Sequence, residues 1–274
     1  VAESIFGTVP TQFDTLRRDF EWRIPDRLNI AQACCDRHAV GVQKTAIHYE
    51  NRAGDTAEYS FADLKRLSDR LAVALRDLGI VRGDRVGMVL PQRPETAIAH
   101  FATYKLGAIA LPLSILFGPD ALGFRLRDSG TRVVITDASR VELIRSLLPE
   151  LPDLKCVITC EPTTGAVDFW NLLEGTVGDP DPVDTAADDP ALLIYTSGTT
   201  GPPKGALVAH RALLGNLPGF ELSHNLFPQP GDLFWTPADW AWTGGLWDGL
   251  LPTLYHGVPI LGYEGGKFDA ERAC

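Results

Sequence analysis

From Ser60 to Thr159 short apolar runs alternate with helical patterns, and that alternation leaves few folds open. Phe61, Leu64, Leu67, Leu71, Leu75 and Leu78 recur at spacings of three and four residues, which lines them up on one face of a helix. Ser60 stands at the N-cap with Asp63 three residues on, and Gly79 supplies the stop. A turn at Arg82-Gly83-Asp84 leads to an apolar strand, Arg85 to Leu90, then to a helix opened by Pro94 and closed by Gly107, and to a second strand, Ala108 to Leu113. The pattern repeats as a helix from Asp120 to Arg127, a strand from Arg132 to Thr136, a helix from Val141 to Leu148 and a strand from Leu154 to Thr159. Strands without a polar face, separated by helices, predict an α/β fold of stacked, predominantly parallel sheets flanked by helices.

Upstream, Thr45 to Tyr49 and Ala57 to Phe61 flank Asn51-Arg-Ala-Gly-Asp55, the pattern of a hairpin. Downstream, residues 178–190 hold five Asp and three Pro and almost nothing apolar, so they add little to a core. They are expected to link a first lobe, 1–177, to a second, 191–274. Val258 to Leu261 reads as a strand and Asp269 as the N-cap of a helix that has run only five residues by Cys274, the expectation for a piece of a longer protein.

With 25 Lys and Arg against 35 Asp and Glu the formal net charge is −10. That balance argues against holding nucleic acid or anionic lipid by bulk charge, so any anion must be bound locally. The longest apolar stretch, Ala97 to Phe117, is broken by His100, Lys105, Gly107 and Pro112, which predicts no membrane span. Val1 opens an acidic, amphipathic segment rather than a secretory signal, and the five cysteines are an odd number in a chain large enough to fold without staples. A cytoplasmic protein with free thiols is the expectation.

One segment carries chemistry. The apolar strand Ala191 to Tyr195 is followed by Thr196-Ser-Gly-Thr-Thr-Gly-Pro-Pro-Lys-Gly205 and then by the apolar run Ala206 to Ala209. Those ten residues hold four hydroxyls, three glycines and one Lys. Glycines let backbone N–H groups approach phosphate oxygens, hydroxyls donate further bonds, and Lys204 supplies a point charge. The loop is not a Walker A loop, because Pro203 precedes Lys204 and Gly205 follows it. Composition alone leaves a plain surface turn as an equal reading.

The stretch YTSGTTGPPKG resembles the phosphate-loop signature of the adenylate-forming enzymes, the AMP-dependent synthetases and ligases. WRIPDRLNIAQACCDR, GDRVGMVLPQRPE, YKLGAIALPL and FWTPADWAWTGG extend the likeness to the N-terminal part of acetyl- and medium-chain acyl-CoA synthetases. The resemblance implies ATP-dependent adenylation of a short- or medium-chain carboxylate, then transfer to coenzyme A, with ATP, Mg²⁺ and coenzyme A as cofactors. It also implies that Thr196, Ser197, Gly198, Thr199, Thr200, Gly201 and Lys204 hold the phosphates. Lys204 would be a phosphate contact, not a base.

Four of the six Trp fall within thirteen residues, at 235, 240, 242 and 247. By the same resemblance Trp240 and Trp242 would face the carboxylate, and Thr243 to Gly245, with Thr243 and Gly244 at the substrate, would open the next helix. Filling core is the plainer role for such rings. Asp239 reads equally as a site carboxylate or as a cap, and His210 as structural. The six His have no metal-ligand spacing and there is no Gly-x-Ser-x-Gly elbow. The Tyr-Gly-x-Thr-Glu and Thr-Gly-Asp stretches of the family, which serve adenine, the metal ion and ribose, do not occur in these residues. An incomplete enzyme is therefore expected, with no catalytic residue of its own in this stretch; the alternative is a nucleotide-binding or scaffold protein that has lost catalysis.

Overall fold

The Ser60 side chain accepts from the Asp63 N–H at 3.1 Å while Asp63 accepts from the Ser60 N–H at 3.2 Å, so the helix that follows starts on a capping box. The computed structural model describes residues 13–41, 43–178, 180–196, 201–265 and 270–273. Helices α1 (Phe13–Asp19) and α2 (Ile30–Cys34) precede the hairpin of β1 (Thr45–Glu50) and β2 (Thr56–Ser60). Then come α3 (Phe61–Asp77), β3 (Arg85–Val89), α4 (Pro94–Lys105), β4 (Ile109–Pro112), α5 (Pro119–Asp128), β5 (Val133–Thr136), α6 (Ala138–Leu147), β6 (Cys156–Thr159), β7 (Val167–Asp168) and α7 (Phe169–Glu174). Strands β8 (Pro190–Thr196) and β9 (Lys204–Ala209), helix α8 (Ala212–Ser223), a helical run from Thr243 to Tyr255 and β10 (Ile260–Tyr263) complete the framework.

Seven strands form one sheet in the order β7-β6-β5-β3-β4-β8-β9, parallel throughout except for the β8–β9 hairpin at the edge. Both faces are covered, as the unbroken apolar strands predict. Val86, Met88, Val133 and Ile135 pack with α3 and α4, while Val89 and Val134 meet Leu122 and Leu126 of α5 and Ile144 of α6. Successive strand residues thus feed opposite cores, the period-two alternation of a buried strand.

A smaller sheet, β10-β1-β2, contributes Ala46, Ile47 and Ile260 to the α3–α4 core. Its last strand begins two residues later than the apolar run beginning at Val258 suggests, because Gly257 turns there at a φ of +67°. Cys34, Cys35, Cys156 and Cys160 are free thiols, and no helix among the described residues is long and apolar enough to cross a membrane.

The acidic stretch 178–190 separates no sheets. Ala110 of β4 pairs with Leu192 of β8, so residues on either side of that stretch lie in one sheet. Asp181, Asp184 and Asp188 are exposed while Pro180, Thr185 and Ala187 are buried, and the hydrophobic pattern of Ala191 to Tyr195 returns the chain to the sheet it left. Helix Ala270–Ala273 follows Asp269, which lies outside the described residues with its capping contacts.

Candidate functional site

Connections at the carboxyl ends of the parallel strands leave in opposite directions. β3 leads through α4 into one core and β4 through α5 into the other, which opens a crevice at that end of the sheet. β8 lies beside β4 and runs parallel to it, so Tyr195 and Thr196 deliver the 196–205 loop to this edge. Ser197, Gly198, Thr199 and Thr200 lie outside the described residues. The return is fixed by pairing of Thr196 with Lys204 and of Tyr195 with Gly205.

Two features of the loop's base suit an anion. Lys204 is exposed at the start of β9 and pairs with no carboxylate among the described residues. Gly201 turns at a φ of +84°, a conformation that side chains with a Cβ avoid. At Gly205 a Cβ would stand 2.9 Å from Leu193 Cδ1 and 3.3 Å from the Tyr195 ring, so the glycine lets the ring lie across the strand. The Tyr195 hydroxyl donates to Asp128 Oδ2 at 2.6 Å, and burial followed by that carboxylate pushes the phenol pKa up.

Beside this base, Trp242 is 44% exposed and meets the Phe117 ring edge-on at 5.7 Å. With Leu113, Arg125, Ile194 and Tyr195 the two rings line a small depression. The structure brings Trp242 to the loop but not Trp240. Trp240 is fully buried in the α3–α4 core, its ring over Gly262, where a Cβ would come within 3.3 Å. Its role is packing, the fate of most large aromatic rings with an apolar surround.

Thr243 and Gly244 do open a helix, with Trp242 at the extended N-cap position. The run is irregular: Thr243–Gly245 is α-helical, Leu246–Leu250 is a π-helical turn with Asp248 off helical geometry, and Leu251–Tyr255 is α-helical. Asp239 does not cap this helix, whose N-cap is Trp242 without a side-chain cap bond; its carboxylate closes the turn before it. Its Oδ1 accepts from the Ala241 N–H at 3.1 Å, and burial raises its pKa.

Gly245 is required here. A Cβ would press on the carbonyl oxygens of Asp239 and Ala238, the latter at 2.5 Å, and backbone cannot swing aside as a side chain does. Gly245→Ala is expected to cost about 3 kcal/mol by overpacking, read as a lower urea midpoint; an unchanged midpoint would show that the 238–245 turn moves freely.

Sequence reasoning did not find Gln92. Its Nε2 donates to the carbonyls of Thr236 and Ala238 at 2.9 and 2.6 Å, and its Oε1 accepts from the Tyr263 N–H at 3.4 Å, tying the Trp-rich segment to the carboxyl end of β3. A lone Gln between two prolines carries no sequence signal for such a tie. Phe117 and Arg125 were missed for the same reason. His210 is structural: fully buried, its Nδ1 accepts from the Ile30 N–H at 3.2 Å.

Among the described residues no three His, Cys, Asp or Glu side chains gather to hold a metal ion. A family model described as AMP-binding enzyme matches residues 35–274. Acetyl-coenzyme A synthetase of Halorhodospira halophila is 34% identical over 97% of this chain, which spans 45% of that relative. The same enzyme of Mycolicibacterium smegmatis is 32% identical over 91% of the chain and 30% of the relative. Among solved structures, an acyl-CoA synthetase of Brucella canis superposes with a TM-score of 0.84 at 29% identity, over 96% of this chain and 49% of that one. The anthranilate CoA ligase AuaEII, in complex with anthranoyl-AMP, gives 0.79 at 25% identity over 91% and 48%.

Proposed function

The chain belongs to the AMP-binding enzyme family, and from that premise we propose that the protein it represents is an acyl-CoA synthetase. The reaction activates a short- or medium-chain carboxylate as its adenylate and passes the acyl group to coenzyme A. The observation that carries this reading is the 196–205 loop, rich in hydroxyls and glycines, leaving the carboxyl end of β8 at the crevice, with Lys204 at its return paired to no carboxylate among the described residues. Its similarity to acetyl-coenzyme A synthetases supports it, though the chain spans less than half of their length.

ATP would lie with its phosphates along the loop. Thr196, Ser197, Thr199 and Thr200 offer hydroxyl donors, Gly198 and Gly201 offer close backbone approach, and Lys204 offsets charge on the departing pyrophosphate. Bound Mg²⁺ would neutralise part of that phosphate charge; no ligand set for it stands among the described residues. Trp242, half exposed beside the loop's base, would face the acyl group and set pocket depth. Coenzyme A, the acyl acceptor, follows from the relatives alone. A binding-only role has no observation of its own.

Carboxylate-dependent exchange of labelled pyrophosphate into ATP tests this reading, across acids from acetate to octanoate and benzoate. A chain extended past Cys274 is expected to exchange, and the 274 residues alone to exchange slowly or not at all, since the adenine and ribose motifs are missing from them. Absence of exchange in the extended chain would overturn the synthetase reading. In that chain Trp242→Gly is expected to move the preferred acid to a longer one, and an unchanged profile would remove Trp242 from the pocket.

A further inference from the structure

Three cations are buried among the described residues, and two of them are paired. Arg93 forks onto Glu95 at 2.9 and 3.0 Å, and Lys105 meets Asp69 at 2.5 Å and Asp36 at 2.9 Å. Arg125, on α5 and 8% exposed, has no carboxylate partner among the described residues. Its Nη1 donates to the Ala121 carbonyl at 2.7 Å, while Nε is buried and donates to nothing among the described residues. The carboxylate one turn on, Asp128, is occupied by the Tyr195 hydroxyl.

What the guanidinium has instead is two aromatic faces. Its central carbon lies 4.3 Å from the centre of the Phe117 ring and 5.6 Å from that of Tyr195. Rings attract a cation but accept hydrogen bonds poorly, so a buried guanidinium held this way keeps donor capacity in reserve. Both rings and Arg125 line the depression beneath Trp242, whose enclosed part is about 10 Å³, room for about one oxygen atom. Tyr195 immediately precedes Thr196, where the loop begins.

We propose that Arg125 is an oxyanion-binding residue of this site, supplying the counter-charge to one ligand oxygen lodged between Phe117, Tyr195 and Trp242. The inference rests on the reading of 196–205 as a phosphate cradle, which brings oxyanions to this end of the sheet. Two sources share the chemistry, a phosphoryl oxygen of the pyrophosphate group and the carboxylate of the acid. Either would complete a pairing that Arg93 and Lys105 already have within the chain.

The test is a titration of the 274-residue chain, followed by NMR of its arginine side-chain N–H signals, with inorganic pyrophosphate in one arm and benzoate in the other. The Arg125 Nε–H signal, assigned by its loss in Arg125→Lys, is expected to shift and saturate in one arm, and that arm identifies the source. Arg125→Met, which fills the same space between the rings without charge, is expected to weaken that anion about 10- to 100-fold, the value of a charge-assisted hydrogen bond. If the Met variant does not fold, the wild-type titration decides alone. An Arg125 signal unmoved in both arms, while the backbone signals of Thr196 to Gly205 follow pyrophosphate, overturns the inference and leaves the cradle standing. No movement anywhere overturns both.

Discussion

Lys105→Met should remove about 3 to 5 kcal/mol of unfolding free energy, the cost of breaking a buried ion pair from one side. Lys105 ends α4 and is fully buried, its Nζ 2.5 Å from Asp69 Oδ1, 2.9 Å from Asp36 Oδ1 and 2.9 Å from Ser68 Oγ. Asp69 is shared with Lys65, whose ammonium lies 2.5 Å from Oδ2. Without Lys105, two carboxylates face each other with one half-exposed ammonium between them. Asp36 is already strained in this sense, because burial, more than Lys105 compensates, holds its carboxyl above the usual range. Urea unfolding measures the loss as a lower midpoint at constant slope. In an Asp36→Asn, Asp69→Asn background the same Lys105→Met change should cost far less, since no uncompensated charge remains. A loss near zero in the wild-type background would mean that water reaches the cluster and screens it.

That cluster marks where sequence reasoning stops. Helix α3 was legible to the residue at its start, because Ser60, Asp63 and the Leu spacing are local signals that act within one turn. Asp69 and Lys105 lie on separate helices, 36 residues apart, and nothing local announces that they meet. The same division runs through the candidate site. The content of the 196–205 loop leaves a phosphate cradle and a plain turn as equal readings until the family resemblance separates them, and the helix start at Thr243 rests on the same resemblance. The resemblance puts Trp240 and Trp242 both at the carboxylate, with Trp242 ahead, but does not show that two positions along an irregular turn one ring enters the core and the other half faces solvent. Gln92, Phe117 and Arg125 come to the site by tertiary packing alone. The Asp-rich stretch shows the same limit: composition does not say which strands a connection joins, and here β4 and β8 on either side of it share one sheet.

Acidification should weaken this chain well above the ordinary carboxylate range, with His100 and His210 together contributing about 2 to 3 kcal/mol of loss between pH 6 and pH 5. His100 and His210 are fully buried, and burial pushes their pKa values down to about 3 and about 4; near His210, Asp189 opposes the shift and Arg82 adds to it. The geometry agrees. His210 Nδ1 is an acceptor for the Ile30 N–H, so it cannot take a proton without losing that bond, and Nε2 of both rings has no partner to welcome one. In the unfolded chain both titrate near pH 6.5. Folded pKa values below the unfolded ones mean that the stabilisation is whole above pH 6.5 and is lost as pH falls toward 4, because at these two rings the unfolded state binds protons the folded state refuses; His38, pushed down to about 4 chiefly by burial, adds in the same direction. Each contributes about 1.4 kcal/mol per pH unit once the unfolded imidazole is charged. Asp36 and Asp239 act in the opposite direction, since burial raises their pKa and the folded chain takes up their protons first. A difference measurement separates the two. His100→Gln keeps both carboxyls and removes one titrating ring, so the pH dependence of its urea midpoint should be shallower than that of the wild type by one proton between pH 6 and 5. Parallel curves would mean that His100 is protonated inside the fold, with its Nδ1 donating to the Tyr104 hydroxyl 3.0 Å away.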